Sequence, residues 1–197
     1  MPRPLVIDED VQIPENVALR FQAQGRLVVA SGVTVSLAGG VMADADQWIF
    51  DLADETSTLL APGLVTVHPH WFGARGDGVT NDTTAMQQVA AFVNRRGGGR
   101  IDLAPGTYVV GRQELAGCVG RGFAWRPEPI LRLEGNTSPV VVCGSGATLR
   151  AAPGLRLGSF DPSTGQPIST SPGFTDANYR ADATWGLIEL LGNASAC

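Results

Sequence analysis

Residues 11–52 carry apolar alternations spaced so closely that no helix fits between them. Val17, Leu19 and Phe21 form one such run, and Leu27 and Val29 follow after QAQGR. Val33, Val35 and Leu37 alternate with Thr34 and Ser36, and Trp48 and Phe50 lie beyond ADADQ. Alternation of period two puts every second side chain on one face of a strand. Turn residues link the runs: Gly25, Ser31-Gly32 and Gly39-Gly40. Parallel strands joined through a helix need a crossover of about a dozen residues or more, so a doubly wound sheet is excluded. A β-sandwich asks for longer strands at spacings of about 8–12 residues. Short strands at closer spacing predict a β-solenoid, in which each coil turns a corner every few residues.

One segment breaks the pattern. Met86, Val89, Ala90 and Val93 stand at i, i+3, i+4 and i+7, with Ala85 and Phe92 beside them. That stripe predicts a single amphipathic helix near residues 82–95. Gln87, Gln88 and Asn94 lie off the stripe. Asn81 or Asp82 is placed to cap the start, and Thr84 with Gln87 offers a variant of the capping box. Asp82 complements the positive end of the helix, and Arg95 and Arg96 the negative end. Gly97, Gly98 and Gly99 follow, residues able to adopt positive φ past the last turn. Ile101 and Leu103 then alternate around Asp102, Pro105-Gly106 turns the chain, and Thr107 opens another strand. Further strand-like runs fall at 130–133, 140–143, 148–150 and 187–191.

Composition agrees with a turn-rich chain: 25 glycines and 13 prolines make up about a fifth of the 197 residues, with no collagen-like period. The net charge is −5 and all 14 basic residues are arginine, which provides no basic face for nucleic acid. No apolar run approaches the roughly 20 residues of a membrane span, and the N-terminus shows no signal-peptide pattern. Three cysteines, Cys118, Cys143 and Cys197, fit no closed disulfide framework; they read as small hydrophobes, with a Cys118–Cys143 bridge as the lesser alternative. His68 and His70 share one face of an expected strand, but nothing in the sequence supplies further ligands, so neither a metal nor any other cofactor is expected. His70 reads as a polar residue at a strand end beside Trp71, and Arg75-Gly76-Asp77 as part of a turn rather than an adhesion tripeptide.

The stretch FGARGDGVTNDTT, residues 72–84, followed by the helix, the glycine triplet and Pro105-Gly106-Thr107-Tyr108, resembles the opening motif of the pectate-lyase-like superfamily. The resemblance is close over residues 71–110. It implies an all-β fold, a right-handed parallel β-helix whose first coil is covered by the amphipathic helix. Residues 1–70 would form a short-strand region leading into the solenoid. Residues 71–197 would hold the cap helix and first coils, with a loop excursion at 158–183 that is rich in Ser, Thr, Pro and Gly. Gly76, Asp77, Gly78, Asp82, Met86, Val89 and Val93 are then the structural cap: glycines for the turn, acids as acceptors of backbone N–H groups, apolar residues against the stack.

Enzymes of that superfamily place clustered acids and bases on later coils, and glycoside hydrolysis needs two carboxyls about 5–9.5 Å apart. No such pair is written here, and Glu189 on an apolar run reads as an outward residue. The expectation is therefore a spike or tailspike-type virion structural protein that contacts host-surface polysaccharide, located on the virion or outside the cell. Its partners would be polysaccharide or other virion proteins, without nucleic acid or membrane, and it would assemble as a homo-oligomer, a trimer by resemblance. The alternative is the N-terminal part of a secreted polysaccharide lyase, hydrolase or epimerase with its catalytic coils beyond Cys197.

Overall fold

Most of the described strands pair in parallel with non-consecutive strands further along the chain. The computed structural model describes residues 4–118, 123–127, 129–155, 158–160, 181–183 and 188–191. One ladder joins β1 (Leu5–Ile7), β4 (Leu27–Val29) and β7 (Phe50–Leu52), with Leu5 opposite Leu27 and Leu27 opposite Phe50. A second joins β2 (Val11–Ile13), β5 (Thr34–Leu37) and β8 (Thr58–Leu60), and a third β3 (Leu19–Arg20) and β6 (Val41–Met42). The register advances 22 residues from Leu19 to Val41 and 24 from Val11 to Val35, nearly the same step in each ladder.

Two further parallel ladders follow: β9 (Thr66–Val67), β11 (Gly99–Asp102) and β16 (Val140–Cys143), then β10 (Asp77–Asn81), β12 (Gly106–Val110) and β17 (Ala147–Ala151). Between β9 and β11 the step lengthens to 34 residues, Thr66 to Arg100, because α1 (Thr83–Arg96) lies within it. Beyond these, β13 (Gln113–Cys118) and β14 (Phe123–Pro127) pair antiparallel. So do β18 (Gly158–Phe160) and β19 (Ala181–Ala183), whereas β15 (Leu131–Glu134) runs parallel to β20 (Ile188–Leu191). Among the described residues the chain is mostly strand with one α-helix, and most of its pairings are parallel.

Period two decides what is buried. Leu27, Val29, Val35, Leu37, Phe50, Leu52 and Leu59 lie inside, while Val28, Thr34, Ser36 and Asp51 between them stay half-exposed. Onto this core α1 lays Ala85, Met86, Val89, Ala90, Phe92 and Val93, all buried. Four aromatic rings join the strands to the helix. Phe21 packs edge-on against Phe50 at 5.7 Å, Phe50 against Phe72 at 5.5 Å, and Phe72 against Phe92 at 5.9 Å.

Several expectations need correction. The first strand begins at Leu5, ahead of the expected start at residue 11. Val17 is 41% exposed and outside β3. Trp48 does not share an inner face with Phe50. It is 39% exposed and its indole N–H donates to the Phe50 carbonyl at 2.7 Å. The Arg26 guanidinium lies 4.0 Å above its ring and pairs with Asp51 at 3.5 Å. The turn-rich stretch after Gly76 contains β10, and His68 and His70 do not share a strand face, because Pro69–Phe72 forms a 3-10 turn. Cys143 is a half-buried free thiol, so the Cys118–Cys143 bridge is not made. Residues 161–180, most of the expected excursion, lie outside the described residues, as do Leu187 and Cys197. Glu189 lies on β20 opposite Arg132.

Candidate functional site

The segment from Gly73 to Asp82 winds from the 3-10 turn into α1, and its glycines are where the backbone requires them. Gly73 closes the turn at φ +94°, its N–H donating to the His70 carbonyl at 2.9 Å. A Cβ on Gly73 would meet the Trp48 indole at 3.0 Å. Gly76, at φ +60°, lies against the Tyr108 ring, 3.2 Å from where its Cβ would stand, and Gly78 follows at φ +75°.

Asp82 is the N-cap residue of α1 by position, yet its side chain makes no cap bond. Its carboxylate instead accepts the backbone N–H of Arg75 at 2.7 Å and of Gly76 at 3.1 Å. Those two donors sit on a tight turn facing inward, and buried N–H groups left unpaired are costly. The acid therefore serves the loop. The helix start is met by Asn81, whose Oδ1 accepts the Thr83 N–H at 3.1 Å. Thr84 lies inside the helix and Gln87 donates to the Pro129 carbonyl at 3.0 Å, so the expected capping box does not form. Burial pushes the Asp82 carboxyl up, outweighing the two N–H bonds.

Asp77 lies on the surface and binds its own turn. Its carboxylate accepts the Thr80 N–H at 2.7 Å, the Val79 N–H at 2.8 Å and the Thr80 hydroxyl at 2.8 Å. These bonds, Thr80 first, hold its carboxyl down at about 2. Asp54 is likewise held at about 2, chiefly by the Ser31 and Thr56 hydroxyls. A depressed carboxyl contributes stability above the ordinary 3.8 and loses it as pH falls toward 2. Asp82 runs the other way: its contribution is present below 3.8 and is lost as pH rises through its raised folded value. The melting temperature should therefore fall on acidification from pH 4 to pH 2, and Asp77→Asn should flatten that limb. Thermal scans at half-unit pH intervals check this, and an unchanged limb in the variant contradicts it.

His70 and Tyr108, 38 residues apart, close the inner side of the loop. Tyr108 is fully buried; its hydroxyl donates to the Ala104 carbonyl at 2.9 Å and lies 3.4 Å from His70 Nδ1. His70 Nε2 lies 3.3 Å from the Arg75 carbonyl oxygen. Burial, then the nearby Asp82 carboxyl, pushes the Tyr108 phenol up to about 12. His68 is engaged elsewhere, with Nδ1 3.1 Å from the Asp102 carbonyl oxygen. Among the described residues no three His, Cys, Asp or Glu side chains gather as ligands for a metal ion.

The polar side of α1 carries a role that periodicity did not suggest: its amides serve backbone groups of neighbouring segments. Gln88 Nε2 donates to the Leu52 carbonyl at 3.3 Å. Asn94 imitates a paired strand, donating to the Arg132 carbonyl at 2.8 Å and accepting the Glu134 N–H at 3.1 Å. Two open cavities of about 340 and 530 Å³ flank the helix and share Arg95.

The seven expected cap residues thus fall into two groups. Gly76, Asp77, Gly78 and Asp82 shape the loop, and Met86, Val89 and Val93 face the core. Both loop acids are occupied by backbone N–H groups, an arrangement that orders a turn rather than one that transfers protons. No family model, curated protein or solved structure matches this chain.

Proposed function

We propose that the ladders are the faces of one right-handed parallel β-helix of the pectate-lyase-like kind, and that the protein is a spike- or tailspike-type component of a virion that meets host-surface polysaccharide. The observation that carries this reading is the near-constant register step of 22 to 24 residues on three successive faces, next to a helix that covers the core. The motif at residues 72–84 supports it, since its glycines and acids build the turn into that helix. Stacked coils present long flat flanks on which an extended glycan lies across several rungs. By the same resemblance the protein assembles as a trimer.

Two measurements test this together. Light scattering on the purified chain should return three times the 20.6 kDa chain mass. Incubation with bacterial capsular and pectic polysaccharides should give retention without new reducing ends or unsaturated products. Turnover that a single substitution abolishes would favour a polysaccharide-cleaving enzyme instead. A monomer that retains no glycan would sink the spike reading.

A further inference from the structure

We propose that the groove beside α1 is a binding site for a linear glycan bearing isolated carboxylates, an inference that rests on the reading above and gives it a location. The two cavities sharing Arg95 form a track along one side of the helix. From Thr84 to Arg95 the helix wall runs about 16 Å at 1.5 Å per residue.

Both walls are fixed before any ligand arrives. One is the helix. The other is the turn after β7, which Asp54 ties together by accepting the Thr56 N–H at 2.8 Å and the Ser57 N–H at 3.3 Å, with the Ser31 hydroxyl on its other oxygen. A preorganised groove loses less freedom on binding than a floppy one. Its lining suits a sugar: Leu60, 38% exposed, and Pro62 offer apolar surface to ring C–H faces. The amide oxygen of Gln88 and the exposed Glu55 carboxylate accept hydroxyl groups.

Charge selects among glycans. Arg95, Arg96 and Arg112 all line the groove, and like Arg20, Arg75 and Arg150 elsewhere they make no ion pair among the described residues, whereas Arg26, Arg100 and Arg132 are ion-paired. In a chain of net charge −5, three arginines along one groove are a local gathering of positive charge. Arg96 is held by the Pro62 and Gly98 carbonyls. Among the described residues the Arg95 guanidinium donates to the Glu55 carbonyl alone, at 3.5 Å, so its remaining N–H groups can meet a carboxylate in the forked geometry guanidinium favours. Glu55 and Asp54 in the same groove repel a dense polyanion, so spaced carboxylates are accepted and a phosphate backbone is disfavoured.

The test titrates the full chain with hexasaccharides of hyaluronan, alginate and polysialic acid, and with their carboxyl-reduced counterparts. At least one acidic hexasaccharide should bind, and carboxyl reduction should weaken it at least tenfold. The double substitution Arg95→Gln with Arg112→Gln should weaken it by as much, and Arg20→Gln, outside the groove, should leave it unchanged. Ala53→Phe, which fills the groove from an exposed position, should give the same loss should the double variant fail to fold. Glycan binding indifferent to carboxyl reduction, or untouched by the groove substitutions, overturns this site and leaves the glycan-contacting reading standing. Failure of every acidic and neutral glycan to bind overturns both. Stronger binding of a single-stranded oligodeoxynucleotide overturns the ligand class.

Discussion

Phe50→Ala is expected to destabilise the protein by about 3–5 kcal/mol, among the larger effects available to a single truncation. Phe50 is fully buried, lies opposite Leu27 in the first ladder, and touches both Phe21 and Phe72. Removing its ring opens a cavity at the centre of the run that ends at Phe92 on α1. The strands would lose dispersion contact with the helix together with the buried area. Phe50→Leu, which refills much of the volume, should cost less than half as much. Urea unfolding followed by far-UV circular dichroism reads both. A change within about 0.5 kcal/mol for the alanine variant, the size of an ordinary surface substitution, would mean that the ring is not core.

Gly98→Ala should be comparably severe for a different reason. Gly98 sits at φ +139°, and a Cβ there would stand 2.6 Å from the Ser138 carbonyl oxygen and 2.8 Å from the Ser138 Cβ. The backbone after α1 passes so close to the segment before β16 that no side chain fits between them. Backbone strain of about 1–3 kcal/mol and overpacking of about 1–3 kcal/mol combine to about 2–6 kcal/mol. Gly135→Ala separates the two contributions, because Gly135 has φ +66° but nothing within 4 Å of its would-be Cβ. Gly98→Ala should lower the urea midpoint clearly further than Gly135→Ala. Equal losses would mean that conformation alone, without the close passage, explains the glycine.

The two glycines differ in what the sequence could reveal, and the same holds for the rest of the fold. Helix α1 was legible because its apolar stripe, terminal arginines and glycine stop are all local. The strands at Leu27–Val29 and Thr34–Leu37 were legible because alternation matched burial. Trp48 was misread because Ile49 and Phe50 are both fully buried, so period two fails just where the chain enters β7. Strand β10 gave no signal: none of its residues is buried, and its valine, Val79, is 85% exposed. Asp82 carries a normal capping signature, and only the two inward N–H groups of the preceding turn redirect it. The meeting of His70 with Tyr108 depends on a contact across 38 residues that no local pattern encodes. Arg95 and Arg96 were visible as helix-end charges, but Arg112 carried no signal, and the shared location of Arg95 and Arg112 required the turn after β7 to be in place.

The Asn94 contact with β15 has a consequence for self-association. An uncovered strand edge recruits any extended segment in any register, the first step toward amyloid-like growth. A carboxamide that occupies the Arg132 and Glu134 backbone groups offers the same two bonds a newcomer would, but stops there, since a side chain cannot present a further row of donors and acceptors. The helix thus quarantines that edge with one residue, and the exposed Arg132–Glu134 ion pair on the same strand adds charge beside it.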